Sequence, residues 1–97
     1  MDPSIEINER IDVVATYYAK GEFIELVKPI KMRWRGKEIV FALQGLRHPT
    51  IQGKRMLHVF HMSDGVNNYR IEFDAENLTW TLVKMMAGGV EYDLPTE

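Results

Sequence analysis

Three histidines, a serine and several carboxylates are the residues whose types could carry catalysis or hold a metal. His61, Ser63 and Asp64 stand almost together, with His58 just before them, His48 further back, and Glu72 and Asp74 a few positions on. Serine, histidine and aspartate supply the three chemistries of a hydrolytic triad, but the base must lie within about 3 Å of the hydroxyl. In an extended strand, side chains two residues apart share a face at a separation of roughly 7 Å. His61 is therefore out of reach of Ser63, and Ser63-Asp64-Gly65 reads as a turn. A metal fares no better. His58 and His61 are an odd number of residues apart, so a strand sends them to opposite faces, and they cannot close on one ion without a bulge. His58 is expected in or near the core and His61 outward. His48, in front of Pro49, could join either, but nothing in the spacing gathers Asp64, Glu72 and Asp74 around them. The chain has no cysteine, which excludes disulfides, thiolate zinc sites, iron–sulfur clusters and thiol catalysis. Gly88-Gly89-Val90 lacks the lysine and the following helix of a phosphate loop. No catalytic residue, metal site or cofactor is expected.

The stronger signal is charge. The formal net charge of −2 conceals a basic middle: residues 28 to 58 hold eight cations (Lys28, Lys31, Arg33, Arg35, Lys37, Arg47, Lys54 and Arg55) against Glu38, a formal +7. The remainder holds four cations and thirteen acids, a formal −9. Such polarity speaks of fields and partners rather than of fold. Lys31, Arg33, Arg35 and Lys37 alternate along one stretch, and Arg47, Lys54 and Arg55 follow in a segment with two glycines and a proline. On a small β domain this is the kind of surface that contacts phosphates, and the expectation is a module binding nucleic acid or another polyanion through these seven residues. An acidic protein partner would suit the same face. A charged, solvated strand face that merely discourages edge-to-edge aggregation explains the residues equally simply.

The elements that must position these side chains read mostly with a period of two. Met32 to Phe41 is the clearest case. A two-residue Arg35-Gly36 turn, with Gly36 at positive φ, sets Met32 opposite Ile39 and Arg33 opposite Glu38. Lys31 and Arg33 are then the outward half of a strand whose inward half is Ile30, Met32 and Trp34. A Lys20-Gly21 turn would set Tyr17 opposite Ile24 and Val13 opposite Lys28, with Pro29 marking a bend, bulge or edge. Residues 44 to 55, "QGLRHPTIQGKR", break the alternation and read as a long exposed basic loop. After them, "DAEN" as a four-residue loop pairs Phe73 with Leu78, Ile71 with Trp80 and Tyr69 with Leu82. The predicted fold is all-β: an antiparallel meander of about six strands curled into a small barrel or a two-layer roll. Residues 1–10 are taken as flexible or as one more strand or helical turn, 11–86 as the ordered core, and 87–97 as a tail.

The motifs "RWRGKEIVF", "HVFHMSDGVNNYRIEFD" and "LTWTLVK" resemble a group of very small bacterial all-β proteins with a W-R-G turn, an S-D-G turn, and Y-x-[IL]-x-F-D and W-x-L strands. The resemblance covers roughly residues 11 to 84. It implies a compact β domain and carries no activity or site residue with it.

Ninety-seven residues, 45% of them apolar, suit one domain spanning 1–97. The opening "MDPSIEINER" is acidic where a secretory leader would be basic and then apolar, and no apolar run reaches membrane-spanning length. A cytoplasmic protein with no membrane partner is the expectation. Val14, Thr16, Tyr18, Phe23 and Val27 form a second apolar face on the first hairpin, which the N-terminal segment, the tail or a second copy could cover. A homodimer acting as a structural or adaptor protein is thus the alternative function.

Overall fold

The computed structural model describes residues 4–20, 27–52 and 55–87, with side chains from 46 to 55 left aside. All of its regular structure is β: β1 (Ser4–Tyr17), β2 (Val27–Trp34), β3 (Lys37–Val40), β4 (Leu43–Gln52), β5 (Arg55–Ser63), β6 (Asn68–Asp74) and β7 (Thr79–Met86). No helix among these residues is long and apolar enough to cross a membrane.

The seven strands form one antiparallel sheet in the order β3-β2-β1-β7-β6-β5-β4. The outermost strands, β3 and β4, are joined by only Phe41 and Ala42. The Phe41 amide donates to the Ile30 carbonyl of β2 at 2.9 Å, and the next amide, Ala42, donates to the Ser63 carbonyl of β5 at 2.7 Å. Two consecutive amides thus tie opposite margins of the sheet together. The sheet has to curl to allow this, giving a half-barrel whose two margins meet at that corner.

Bulges supply the curl. The register shifts at Glu6/Glu9 in β1, at Val14/Ala15 against β2, at Gln44/Arg47 in β4 and at Arg70/Ile71 against β7. Each extra residue bends its strand and raises the local twist. It also switches which parity faces inward. In β2, Val27 and Pro29 face the core up to the extra residue Ile30, and Met32 and Trp34 face it afterwards. The core holds Ile11, Met32, Phe60, Met62, Tyr69, Ile71, Phe73, Trp80 and Leu82. The Phe73 ring packs 4.6 Å from that of Trp80, and Phe60 lies 5.5 Å from the same indole.

Several expectations are corrected by this register. Residues 44–52 belong to strand β4 rather than to a loop, paired with β5 from Leu43↔Ser63 to Gln52↔Arg55. The glycine sits at a bulge, and Pro49 sits in a margin strand with a free side that needs no donor, so these breakers are absorbed without ending the strand. In the first hairpin Tyr17 pairs with Val27 and Val13 with Met32, not with Ile24 and Lys28. Val27 accordingly packs against the core instead of on the second face, and Phe23 lies outside the described residues. In the β6–β7 hairpin the turn is Ala75–Leu78, and Phe73 pairs with Trp80 and Ile71 with Leu82. Leu78, expected inward, stands in the turn at φ 58° and is 74% exposed. Residues 4–10 take the strand alternative as the first half of β1, and β4 brings the count to seven.

Candidate functional site

The β2–β3 hairpin carries four of the seven candidate cations and turns through Arg35 (φ 53°) and Gly36 (φ 79°). Positive φ at both central residues is the signature of the type I′ turn, whose twist matches that of the flanking strands. The predicted register holds: Lys31↔Val40, Met32↔Ile39, Arg33↔Glu38 and Trp34↔Lys37. The outward face of this margin therefore shows Val14, Lys31 and Val40 in one row and Asp12, Arg33 and Glu38 in the next.

The cations are not equivalent. Lys31 Nζ bonds Glu38 Oε2 at 2.9 Å, and this lysine, with Arg33 behind it, holds the Glu38 carboxyl below its usual range. Arg33 is exposed between Asp12 and Glu38 and forms no ion pair among the described residues. Arg35 reaches across to β1. Its Nε donates to Glu9 Oε1 at 3.2 Å, its Nη2 donates to Glu9 Oε2, and its guanidinium lies 4.8 Å from the Trp34 ring centroid. Trp34 Nε1 donates to the same Glu9 Oε1 at 2.9 Å. The hydrogen bonds from Arg35 and then Trp34 hold the Glu9 carboxyl below its ordinary range, and the bond to Glu9 in turn raises the arginine. Arg35 is thus a clamp between the hairpin and β1. Lys37, cross-strand from Trp34, is exposed without a hydrogen-bonding partner among the described residues. In β4 the backbone of Arg47 lies opposite Phe60, and Arg55 opens β5 opposite Gln52. Lys54 falls outside the described residues.

Beside this hairpin the half-barrel opens into a cleft of about 550 Å³ whose lining includes Trp34, Ile39, Tyr69 and Met85, with Lys37 and Asp64 also on its walls. The Ser63–Asn67 turn builds one wall. Asp64 Oδ1 accepts the Val66 and Asn67 amides at 2.8 and 2.6 Å, and its Oδ2 accepts the Tyr69 hydroxyl at 2.9 Å. Partial burial alone would raise the Asp64 pKa, but the bonds from Asn67, Val66 and Tyr69 outweigh it and hold the carboxyl low. The Tyr69 phenol, 2% exposed, is raised, chiefly by burial. Sequence reasoning located Ser63-Asp64-Gly65 as a turn and Trp34 as inward. It missed that both face one cleft, and the available signal was Trp34 standing at the strand end opposite Lys37.

The catalytic and metal candidates are not gathered. Ser63 Oγ accepts the Gly65 amide at 3.0 Å, as a turn serine does. His58 lies opposite Phe73, with ring centroids 6.3 Å apart, and His61 lies opposite Arg70. Among the described residues no three histidine, aspartate or glutamate side chains converge as metal ligands. Comparison with family models, with curated proteins and with solved structures finds no match to this chain.

Proposed function

We propose that this domain is a non-catalytic binding module for nucleic acid, held through the β2–β3 hairpin and the margin that continues into β4. One observation carries the reading: the segment with formal charge +7 builds β2, β3, β4 and the start of β5, which follow one another around the corner where Phe41 and Ala42 close the sheet. Of the described cations, Lys31 and Arg33 stand on the outward face of the β2–β3 hairpin and Lys37 on its other face, beside Trp34, at the same edge of the sheet. The ion pairs within it are weak competitors. Lys31 and Glu38 are 38% and 47% exposed, and exposed pairs contribute only about 0–1 kcal/mol, so a phosphate exchanges with the carboxylate at little cost. Arg33 and Lys37 need no such exchange.

Fluorescence anisotropy with labelled oligonucleotides tests this. Three phosphate contacts, by Lys31, Arg33 and Lys37, give a log–log salt slope of about −2 on a single strand and about −3 on a duplex. Affinity then falls roughly 20- to 40-fold between about 50 and about 200 mM salt. An Arg33→Ala/Lys37→Ala variant with wild-type circular dichroism should bind more weakly with a flatter slope. Unchanged binding in that variant refutes the assignment, and binding of an acidic protein in its place supports the other partner class.

A second reading rests on Val14 and Val40, 54% and 57% exposed, which flank Lys31 on the outward face. Two copies meeting there would form a homodimer. Sedimentation of the wild type and of a Val14→Asp variant decides it, since only an interface at this face would dissociate in the variant.

A further inference from the structure

Resting on the nucleic-acid reading, we infer that the ligand is single-stranded and that one of its bases enters the cleft beside the β2–β3 hairpin, stacked against Trp34, with its phosphate on Lys37. A surface that reads only phosphates needs cations and no aromatic wall. Here Trp34 and Lys37 are directly cross-strand on one face of the hairpin, so an aromatic plane and a cation without a hydrogen-bonding partner among the described residues adjoin at the same opening. That juxtaposition matches one nucleotide, a flat apolar base joined to an anion. A duplex keeps its bases stacked inside and offers nothing to the cleft.

The indole is prepared for this role. Its Nε1 is tied to Glu9 and the Arg35 guanidinium lies over its ring, so the side chain is fixed before any ligand arrives. Ile39 and Met85 extend the apolar lining, and a volume of about 550 Å³ falls within the range of small-molecule sites. The acids beside the opening are already engaged. Asp64 spends its two oxygens on two amides and the Tyr69 hydroxyl, and Glu38 in the free protein is bonded to Lys31 and stands cross-strand from Arg33, which remains beside it when a phosphate takes Lys31. The charge left to meet a phosphate at this opening is that of Lys37.

The experiment uses an oligothymidylate of about 12 residues, the corresponding duplex, and inorganic polyphosphate, a polyanion without bases, at about 50 mM salt. Tryptophan emission and its quenching by acrylamide are recorded together with affinity. Trp80 is 6% exposed, so a change in acrylamide access reports on Trp34. The single strand should shield Trp34 where polyphosphate and duplex do not. Trp34→Leu should weaken single-strand binding about 10- to 100-fold, the worth of one stacked base, and leave polyphosphate affinity unchanged. The shielding measurement needs only the wild type and so decides the matter even if that variant folds poorly. Equal binding of all three polyanions with Trp34 still open to acrylamide overturns the base-stacking inference and leaves the polyanion reading standing. No binding of any of them overturns both.

Discussion

Asp64 and Tyr69 offer the sharpest test of how the cleft is held. Asp64→Ala removes the acceptor of two backbone amides and leaves the Tyr69 hydroxyl, on a residue only 2% exposed, without the oxygen at 2.9 Å. Hydrogen bonds to a charged group contribute about 1.5–3 kcal/mol and an orphaned buried hydroxyl costs about 1–3 kcal/mol, so with partial replacement by water we expect a loss of about 3 kcal/mol. Tyr69→Phe should cost less, about 1 kcal/mol, because the partly exposed carboxylate can turn to water while the ring still fills its place. In Asp64→Ala/Tyr69→Phe no hydroxyl remains to be orphaned, so the double variant should be more stable than the sum of the singles by about 1–2 kcal/mol. Urea unfolding of all four proteins measures this. The pH dependence is a second arm. The folded pKa of Asp64 lies below its unfolded value, so its stabilisation is complete above the unfolded pKa of about 4 and is lost as the pH falls through the folded value. Asp64→Asn should therefore show a flatter acid limb than the wild type. Additivity within about 0.5 kcal/mol, with no change in the acid limb, would refute the bond network described here.

Two further outcomes follow from single positions. Gly36→Val places a β-branched side chain at φ 79° with nothing within 4 Å of the new Cβ, so the penalty is backbone strain alone; about 1–2 kcal/mol should be lost in thermal unfolding. His58 is held neutral by burial, with its folded pKa below the unfolded value of about 6.5, so its contribution is full above that pH and fades as acid charges it. An NMR titration should find His58 protonating at lower pH than a model peptide, and His58→Gln should remove part of the stability loss between about pH 7 and 5; a normal titration would contradict its placement against Phe73.

What could be read in the sequence depended on how local the deciding contacts are. The β2–β3 register was legible because Arg35-Gly36 lies between the paired residues and leaves no freedom to slip. Next to its turn the β6–β7 register was misplaced by two residues, yet Ile71, Phe73, Trp80 and Leu82 still faced inward, since an even slip preserves the side-chain period; beyond the bulge Tyr69 meets Met85, three residues from the expected Leu82. The first hairpin was misread at its turn: Tyr17 pairs with Val27, three residues beyond the expected Ile24, and the extra residue Ile30 adds one more before Val13 meets Met32. β4 was missed altogether: Gly45 and Pro49 carry the composition of a loop, and only a bulge and a margin position make them acceptable in a strand.

The site divides along the same line. The positions of Lys31 and Arg33 follow from alternation around one tight turn, and their outward face was predictable; Lys37, expected on the same basic face, instead stands opposite Trp34 on the other one, because the two-residue turn shifts the parity. The role of Arg35 was not predictable, because its partner Glu9 lies 26 residues away and meets it only through the irregular pairing of β1 with β2. That contact changes what the basic run is for. Had Arg35 been one of four equivalent phosphate contacts, its loss would lower affinity by the same step as that of Arg33. As the clamp that joins Glu9, Trp34 and the hairpin, it should instead act on the shape of the cleft, so Arg35→Lys, which keeps the charge but loses the paired donors and much of the stacking, separates the two roles. Polyphosphate affinity close to wild type together with weakened single-strand binding is the outcome the clamp requires.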